Sequence, residues 1–482
     1  MRPLVWFRSD LRADDNAALS AASRAADRGV VGVFTLCPQQ WQAHDWADVK
    51  VEFLLRSLAC LSERLKKLRI PLRIVETSTF AEVPAALLAL ARQHHCDALY
   101  CNREYEVNES RRDATSFQMF EQAGLAVHRF DDTVIIPPDM LRTADGRFYT
   151  VFTPFKRAWL ARFEEDAIDT LPVRPRAQHE WVCSPDTVPE RVAGFDLDRG
   201  LPDLWPTGEG VAFKRLAEFV TQRIASYKQL RDHPADDGTS RLSPYLAHGV
   251  LSPRRCLVEA RDANAGWLDG GRAGPATWVS ELIWREFYRH VLVGFPRVSK
   301  SRAFRVETEK LRWRESDRDL AAWCAGRTGY PIVDAGMREL AETGWMHNRV
   351  RMIVAMFLTK QLLLDWRLGE RYFMRHLVDG DLASNNGGWQ WSASTGTDAA
   401  PYFRIFNPFL QSRRFDADGA YIRRYVPELR SVPAAALHDP DALSEYDRSR
   451  LNYPPPICDH AAARNRAIAA FQSLRTGSAR RR

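Results

Sequence analysis

The stretch from residue 379 to residue 391 carries the densest group of side chains that could do chemistry. Its candidate residues are the carboxylates Asp379 and Asp381, the amides Asn385 and Asn386, the adjacent glycines Gly387 and Gly388 and the indoles Trp389 and Trp391. A calcium loop is excluded, because the fifth position is Ala383 and neither the glycine nor the closing glutamate of such a loop follows. Carboxylates accept from ring N–H groups, amides can face either protonation state of a ring nitrogen, and glycine admits close approach. We therefore predict an acidic, Gly-rich turn that binds an aromatic heterocycle.

A second polar group precedes a short helical pattern. Its members are Tyr227 and, further on, Thr239, Ser240, Arg241, Leu242 and Ser243. Hydroxyls beside a guanidinium at the start of a helix can bind an anion, because free N–H groups and the helix dipole favour phosphate. The alternative is a Thr or Ser N-cap next to a surface arginine, which is common in helices of any function.

Two tryptophans bracket an acidic and a basic residue on a predicted helix. Trp278, Glu281 and Arg285 are spaced i, i+3 and i+7 and so share one helix face, with Trp284 beside them. Glu281 and Arg285 could form a plain i,i+4 ion pair, which contributes little. The indoles favour a lined cavity, since a surface ion pair does not need them.

Asn348, Arg351 and Met352 share one face of an apolar helix. We expect this face to point to the core, where an unpaired amide or guanidinium is costly. These side chains therefore need polar partners. A bound polar molecule and a hydrogen-bond network within the protein explain the pattern equally well.

Short apolar runs alternate with helical patterns over the first 130 residues. The runs cover residues 4–7, 30–36, 72–75, 98–100 and 126–130, and helical patterns such as 51–68 and 83–93 lie between them. This alternation predicts an α/β domain, a doubly wound parallel sheet with helices on both faces. The turn after the first run lacks Gly-x-Gly-x-x-Gly, so we expect no dinucleotide fingerprint there.

A Pro-rich connector and a helical region follow. Helical pattern in the connector is limited, mainly to 155–166. Helical periodicity then covers residues 211–227, 253–263, 277–293, 317–325, 332–343, 348–366 and 369–379. We predict three parts: an α/β domain at 1–131, an interdomain connector at 132–209 and an all-α domain at 210–475.

Composition excludes several classes of protein. The chain has 482 residues, of which 45% are hydrophobic and 27% charged, which excludes disordered, collagen-like and transmembrane chains. A net charge of +7 is compatible with a nucleic-acid partner. The eight cysteines form no Cys-x-x-Cys pair, so we expect reduced thiols, no metal site and a cytoplasmic location.

The motifs together resemble the photolyase/cryptochrome family, and within it the bacterial class I cyclobutane pyrimidine dimer photolyases. The resemblance spans nearly the whole chain and rests on long motifs: Gly-Thr-Ser-Arg-Leu-Ser, Glu-Leu-Ile-Trp-Arg-Glu-Phe-Tyr-Arg-His, Thr-Gly-Trp-Met-His-Asn-Arg and Asp-Gly-Asp-Leu-Ala-Ser-Asn-Asn-Gly-Gly-Trp-Gln-Trp. It implies an α/β domain, a long connector and a helical FAD-binding domain.

The same resemblance implies which residues hold FAD. The pyrophosphate and ribityl chain would lie against Tyr227, Thr239, Ser240, Arg241, Leu242 and Ser243. Trp278 and Arg285 would line the flavin site, and Asn348 and Arg351 would face the folded flavin–adenine assembly.

Three further roles in the FAD site follow from the resemblance. Asp379 would pair with Arg351, and Asp381 would accept a hydrogen bond from the isoalloxazine ring. Asn385 would face the central-ring nitrogen that gains a proton on reduction.

The substrate implied by the resemblance is a flipped-out pyrimidine dimer. The catalytic residues that would grip it are Glu281, Trp284, Asn348, Met352 and Trp391. Trp284 and Trp391 would form an apolar wall, while Glu281 would hydrogen-bond a base edge and stabilise developing charge.

Two other sets of residues are implied by the resemblance. Candidates for contacts with DNA phosphates are Arg231, Arg349 and Arg404. A chain that would pass an electron from the surface to oxidised flavin consists of Trp313, Trp366 and Trp389.

The N-terminal half resembles an antenna-binding domain. Asn108 and Glu109 match residues that hold methenyltetrahydrofolate, and His44 and Lys300 are weaker candidates. A deazaflavin or a second flavin is the alternative antenna. Asn108 could also be the N-cap of a helix at 109–123.

The reaction implied is light-driven repair of UV-damaged DNA, single- or double-stranded, by electron transfer from reduced FAD to the dimer. The alternatives are a blue-light receptor, a (6-4) photoproduct photolyase and a non-enzymatic nucleic-acid binder. Asn385 favours the photolyase over plant-type receptors, and Met352 stands where a (6-4) enzyme would need His. A simple nucleic-acid binder leaves the residues of 379–391 unexplained. We further expect a monomer without an obligate protein partner or a membrane contact.

Overall fold

The computed structural model describes residues 1–165, 173–197 and 203–479. The chain forms two compact units. The first comprises Met1–Ala225, Ser240–Pro296 and Val378–Ala383, and the second comprises Ser226–Thr239, Arg297–Leu377 and Ser384–Arg482. The three-part division predicted from the sequence stays a prediction, and 166–172 and 198–202 of its connector lie outside the described residues.

A five-stranded parallel sheet organises the first unit. Its strands are β1 Pro3–Phe7, β2 Val31–Leu36, β3 Leu72–Glu76, β4 Ala98–Asn102 and β5 Ala126–Phe130. They lie in the order β3-β2-β1-β4-β5, and Leu4 of the central strand pairs with Val31 on one side and Leu99 on the other. Because the chain crosses over between parallel strands, helices cover the sheet. The predicted doubly wound α/β fold is confirmed.

Helices account for most of the remaining described chain. The first eleven are α1 Ala17–Ala25, α2 Pro38–Ala43, α3 Asp48–Lys67, α4 Val83–Gln93, α5 Val107–Gln122, α6 Phe152–Glu165, α7 Glu209–Gln222, α8 Tyr227–Leu230, α9 Ser243–Ala247, α10 Pro253–Asp262 and α11 Ala273–Gly294. The next ten are α12 Asp317–Cys324, α13 Pro331–Thr343, α14 Asn348–Met356, α15 Trp366–Met374, α16 Leu382–Ala393, α17 Pro408–Phe415, α18 Ala420–Tyr425, α19 Ala434–Leu437, α20 Glu445–Leu451 and α21 His460–Ala479.

The prediction of one continuous helix at 348–366 is wrong. Helix α14 ends at Met356, a π-helical turn covers Phe357–Gln361, and α15 begins at Trp366. Asp365 is the N-cap of α15 and accepts a hydrogen bond from the backbone N–H of Arg367, so it starts a new helix. The apolar pattern continues across this break and therefore hides it. The prediction of one helix at 211–227 fails similarly, because α7 ends at Gln222.

The π-helical turn buries a lysine. Lys360 is fully buried, and its Nζ donates to the Ala393 carbonyl at 3.1 Å and to Ser394 Oγ at 2.7 Å. Burial lowers the pKa of this amine well below its ordinary value. Lys360 thereby satisfies polar groups at the carboxyl end of α16.

The prediction of a Gly-rich turn over 379–391 is wrong from Leu382 onward. Helix α16 starts at Leu382 and contains the amides, the paired glycines and both indoles. Glycine and asparagine disfavour isolated helices, but packing overrides that preference here. At Gly369, where a Cβ would lie 2.1 Å from the Trp389 ring, the missing side chain gives the indole its space.

Candidate functional site

A buried carboxylate on α11 fixes this helix within the first unit. Glu286 is 2% exposed, and it accepts from the backbone N–H of Ile135 at 2.7 Å and of Ile136 at 2.8 Å. The indole N–H of Trp159 donates to the same carboxylate at 2.7 Å. Burial raises the pKa of Glu286, although the three donors oppose this effect. Because α11 cannot turn without breaking these bonds, the side chains on its other faces are held in place.

The two tryptophans of α11 have aromatic neighbours. Trp278 is buried, and its ring centroid lies 5.0 Å from that of Phe219. Trp284 is partly exposed and stacks on Phe152, with centroids 3.7 Å apart and planes 9° apart. The predicted helix is confirmed and runs from Ala273 to Gly294.

Two arginines of α11 make polar contacts within the first unit, and one of them binds Asp381. Arg289 donates to Asp381 Oδ2 at 2.7 Å, and Arg285 donates to the carbonyls of Thr133 at 2.7 Å and Leu246 at 3.1 Å. Burial, together with the nearby charge of Arg289, lowers the pKa of Arg285 to about 9. The first unit therefore places a carboxylate and two guanidinium groups in one cluster.

The hydroxyl-rich segment enters α9 through a left-handed residue. Arg241 has φ 49°, and α9 begins at Ser243. The N-cap is Leu242, which supplies no side-chain hydrogen bond, so the alternative of a Thr or Ser N-cap is wrong. Arg241 is half-buried and so is not a surface arginine. Ser240, Arg241 and Ser243 therefore all lie at the start of α9.

Helix α14 in the second unit carries polar residues at its start. Asn348 is the first residue of α14 and is exposed, so the expectation that it points to the core is wrong. The first turn of α14 precedes its apolar stripe, which explains the exposure. Arg351 Nε donates to the Met346 carbonyl at 2.7 Å, and Met352 is half-buried. Arg349 forms an ion pair with Asp232 at 2.8 Å.

Asn385 on α16 has a fixed orientation. Its Nδ2 donates to the Glu370 carbonyl at 2.9 Å, and this partner can only accept. The Glu370 carboxylate accepts from Asn386 Nδ2 at 3.2 Å and so holds the next residue too. No residue in the described part of the chain donates to Asn385 Oδ1. The amide of this half-buried residue therefore offers an acceptor.

The three tryptophans of the proposed electron-transfer chain share one hydrophobic cluster in the second unit. Trp389 and Trp366 are 2% and 1% exposed, whereas Trp313 packs against the edge of the cluster and is partly exposed. Arg367 lies over the Trp366 ring with its Cζ 4.7 Å from the centroid. Of these three tryptophans, Trp313 is therefore the one at which water can solvate a charge.

The antenna candidates of the first unit form a polar cluster. His44 Nε2 lies 2.9 Å from Asn108 Nδ2 and 3.0 Å from Gln40 Nε2, and its Nδ1 lies 3.4 Å from Glu109 Oε1. Burial lowers the pKa of His44 to about 4. Burial and the neighbouring carboxylates of other glutamates raise the pKa of Glu109 to about 8. Burial therefore favours the neutral forms of both His44 and Glu109.

Asn108 is not a helix N-cap. Helix α5 begins at Val107, its N-cap is Glu106, and Asn108 is the second helical residue. The predicted helix at 109–123 therefore starts two residues earlier than expected, and the alternative reading of Asn108 is wrong.

The remaining candidates lie in the second unit. Lys300 and Arg404 are exposed, and Arg231 is half-buried with its Cζ 5.6 Å from the Tyr227 ring centroid. The structure places the candidates Ser240, Arg241, Leu242, Ser243, Trp278, Glu281, Trp284, Arg285, Asp379, Asp381, His44, Asn108 and Glu109 in the first unit. It places Tyr227, Thr239, Lys300, Arg231, Trp313, Asn348, Arg349, Arg351, Met352, Trp366, Asn385, Trp389, Trp391 and Arg404 in the second.

Several residues of the site were missed by sequence reasoning. Glu286 and Arg289 stand in the same helical motif as Glu281, but their partners lie far away in the sequence. Phe152 and Gln40 could not be identified from the sequence, because neither stands in a motif that indicates a function.

No helix in the described ranges is long and apolar enough to cross a membrane. Within the same ranges, no three His, Cys, Asp or Glu side chains are grouped as metal ligands.

Comparisons with known proteins agree over both halves of the chain. Residues 3–176 match the family "DNA photolyase", and residues 278–473 match the family "FAD binding domain of DNA photolyase". The chain is 45% identical over 479 residues to a deoxyribodipyrimidine photo-lyase of Salmonella typhimurium, covering 98% of this chain and 99% of the relative.

Two solved structures have the same fold. A class III photolyase from Agrobacterium tumefaciens matches with a TM-score of 0.87 and 35% identity over 98% of both chains. An archaeal photolyase from Sulfolobus tokodaii, solved with two FAD molecules, matches with a TM-score of 0.78 and 30% identity over 98% of this chain and 100% of that one.

The Glu286→Gln variant tests how α11 is held. Glutamine has one acceptor oxygen and would turn an NH₂ toward buried donors, so we expect unfolding free energy to fall by about 2–3 kcal/mol. Urea denaturation measures this loss. The control is Glu259→Gln on α10, where a partly exposed i,i+4 ion pair with Arg255 should contribute less than about 1 kcal/mol. Equal losses in the two variants would contradict the assignment.

Proposed function

The chain belongs to the DNA photolyase family, and we propose from this premise that it splits pyrimidine dimers in UV-damaged DNA with light. FAD, when bound in its reduced form, would supply the chemistry as a light-driven one-electron donor that is regenerated after the dimer splits, and this chain's residues would hold and orient it. The observation that carries the proposal is the fixed orientation of Asn385, which offers an acceptor at the head of a helix in the FAD-binding region.

The donor set of the first unit fits FAD. Ser240, Ser243 and the half-buried Arg241 combine hydroxyl and guanidinium donors, the groups that bind pyrophosphate. Trp278, already packed on Phe219, offers an apolar surface to a planar ring. By the family resemblance we also assign Leu242, and Tyr227 and Thr239 of the second unit, to the FAD site.

Asn385 determines which state of the flavin is favoured. Because Nδ2 is engaged by the Glu370 carbonyl, Oδ1 is the atom available to a ligand. An acceptor stabilises a ring nitrogen that carries a proton and does not stabilise one that lacks it. The orientation of Asn385 therefore favours the reduced flavin, the form that donates electrons.

Charged residues complete the proposed flavin site. Arg285 and Arg289 place two positive charges next to Asp381 in the first unit, and these charges stabilise negative charge on a reduced ring. By the family resemblance we assign Asp379 of the first unit, and Asn348 and Arg351 of the second unit, to the FAD site.

The dimer-binding residues are those of the family resemblance. Trp284 and Trp391 are partly exposed indoles that can stack on bases, and Met352 adds an apolar contact. Glu281 accepts from an N–H of a base edge, and Asn348 is exposed to hydrogen-bond a second edge. Stacking contributes about 1–3 kcal/mol per base, which offsets the cost of flipping a dimer whose pairing is already weakened.

Arginines bind the DNA backbone in this proposal. Arg404 is exposed, while Arg349 and Arg231 lie near Asp232. Arginine contacts to phosphate carry no sequence preference and weaken with salt. The substrate is accordingly a lesion in any sequence, in single- or double-stranded DNA.

No observation favours a (6-4) photoproduct photolyase or a blue-light receptor over dimer repair. Met352, half-buried on α14, cannot donate the proton that a (6-4) repair reaction needs. A receptor would not require the dimer-binding residues. A monomeric state and a cytoplasmic location stay predictions.

We propose methenyltetrahydrofolate as the antenna. The cluster of His44, Asn108 and Glu109 offers both donors and acceptors, as the edge of a pteridine ring requires, and burial favours the neutral forms of His44 and Glu109. Lys300 is assigned to the same antenna by resemblance alone. A second flavin, as in the Sulfolobus tokodaii structure, is the competing antenna.

Chromophores released by denaturation identify the antenna. We expect a reduced folate beside one FAD per chain, and we expect Glu109→Ala to lose the folate but keep the FAD. The matched control is Glu121→Ala at an exposed position of the same helix α5, which should keep both. Two flavins per chain, or folate retained by Glu109→Ala, would refute the folate assignment.

Light dependence tests the reaction itself. With the protein reduced and bound to an oligonucleotide that contains one thymine dimer, we expect illumination to restore intact thymines over many turnovers. Glu281→Ala should lower the repair yield while FAD content stays unchanged. Liquid chromatography of the DNA measures the repair yield, and the absorbance of flavin released by denaturation measures the FAD content. Equal repair in darkness would contradict light-driven electron transfer.

Photoreduction tests the tryptophan chain. Trp313→Phe should strongly slow the light-driven reduction of oxidised FAD, because phenylalanine is much harder to oxidise, yet repair by chemically prereduced protein should not change. Trp323→Phe is the control, since this buried ring lies 6.0 Å from Trp389 but is not assigned to the chain. Unchanged photoreduction in Trp313→Phe, or an equal loss in Trp323→Phe, would remove the assignment.

A further inference from the structure

Helix α6 packs against α11 through three aromatic residues in register. Phe152, Phe155 and Trp159 recur at i, i+3 and i+7, which places them on one face of α6. Phe155 lies 5.1 Å from the Phe287 ring centroid, and Trp159 donates to Glu286. These contacts bring the first residue of α6 beside the one tryptophan of α11 that is partly exposed.

Phe152 covers one face of the Trp284 indole. Their ring centroids are 3.7 Å apart and their planes differ by 9°, the tightest parallel stack among the described aromatic pairs. Phe152 itself is buried at 9% exposure, while Trp284 is partly exposed. The exposed surface of the indole must therefore lie away from Phe152.

Two further rings lie around the same indole. Phe287 approaches at 5.6 Å with planes 79° apart, and Tyr288 lies at 5.6 Å with planes 36° apart. Rotation of Trp284 about its side-chain torsions would break the stack and collide with these rings. The indole plane is thus fixed before any ligand arrives.

We propose that Phe152 is a positioning residue that sets the plane of Trp284 and so determines how well a pyrimidine dimer is distinguished from ordinary bases. The inference rests on the proposed role of Trp284 in the apolar wall. A cyclobutane link joins the two bases rigidly at C5 and C6, so a dimer cannot adjust its ring planes to a mobile wall. Single bases can adjust, and they lose little when the wall is loose.

This role differs from that of a core residue. Phe155 is more completely buried than Phe152 and lies against Phe287 and His290 of α11, but none of its ring contacts is with Trp284. Loss of packing alone would therefore affect Phe155 variants at least as strongly as Phe152 variants.

A double-mutant cycle tests the proposal. The measured quantity is the ratio of the dissociation constants for undamaged and dimer-containing oligonucleotides, at fixed salt and in the dark. Phe152→Leu should lower this ratio about three- to tenfold, the range expected for loss of an aromatic stack. In a Trp284→Leu background the same substitution should change the ratio by less than about twofold, because its partner is gone.

Matched variants separate positioning from packing. Phe155→Leu should lower thermal stability without changing the ratio, and Phe152→Tyr, which keeps a flat ring, should restore it. FAD content should be the same in all variants. If Phe152→Leu does not retain FAD, Phe152→Met takes its place, since it keeps the volume but removes the flat face. The same decrease in the ratio is then expected for Phe152→Met as for Phe152→Leu.

The outcomes distinguish this inference from the proposed function. If Trp284→Leu lowers the ratio but Phe152→Leu does not, or if the two effects simply add, Phe152 does not act through Trp284 and the inference is overturned. If Trp284→Leu leaves the ratio unchanged, the proposed wall itself is wrong, and the role of Phe152 falls with it.

Discussion

Burial of the Glu286 carboxylate under three N–H donors is the constraint on which the first unit's functional surface depends. The donors come from Ile135, Ile136 and Trp159, three positions distant from Glu286 in the sequence. Leaving such a group without partners is far costlier than the net gain from any one bond, so the arrangement has little freedom to relax. Helix α11 is consequently held by polar bonds on one side while it presents indoles, a carboxylate and guanidinium groups on the others. The aromatic contacts of α6 act on the same helix.

The second unit uses comparable contacts for α16. The Glu370 backbone carbonyl orients Asn385, its carboxylate binds Asn386, and Lys360 binds the carbonyl at the carboxyl end of the helix. A helix with two adjacent glycines and several amides has little intrinsic stability, so these tertiary bonds, together with the space left at Gly369 for an indole, keep it in place. Its functional side chains can therefore be chosen for chemistry and not for helix propensity.

The sequence was sufficient for the sheet and for most helices because both depend on local periodicity. All five strands were located from short apolar runs, and residues in the long motifs were correctly placed on α11 and at the start of α14. The break at Asp365 and the helical state of 382–393 were not predictable in the same way. In both cases the deciding interactions join residues that are distant in the sequence. Before the break, the buried Lys360 of the π-helical turn binds the end of α16, and in α16 the amide of Asn386 binds Glu370. Phe152 is the clearest case of a functional candidate without any sequence signal, since only its stack on Trp284 distinguishes it.

An action spectrum tests most directly whether bound reduced FAD is the group that absorbs the light for repair. The sample is the protein with its FAD reduced and any antenna removed, mixed with dimer-containing DNA under anaerobic conditions. Repair per incident photon is measured across the near-ultraviolet and blue range and is compared with the absorption spectrum of the same sample. We predict that the two curves coincide across the band of reduced FAD and fall to zero beyond it. Repair that follows the ultraviolet absorption of tryptophan, or that persists after FAD is removed, would contradict the mechanism.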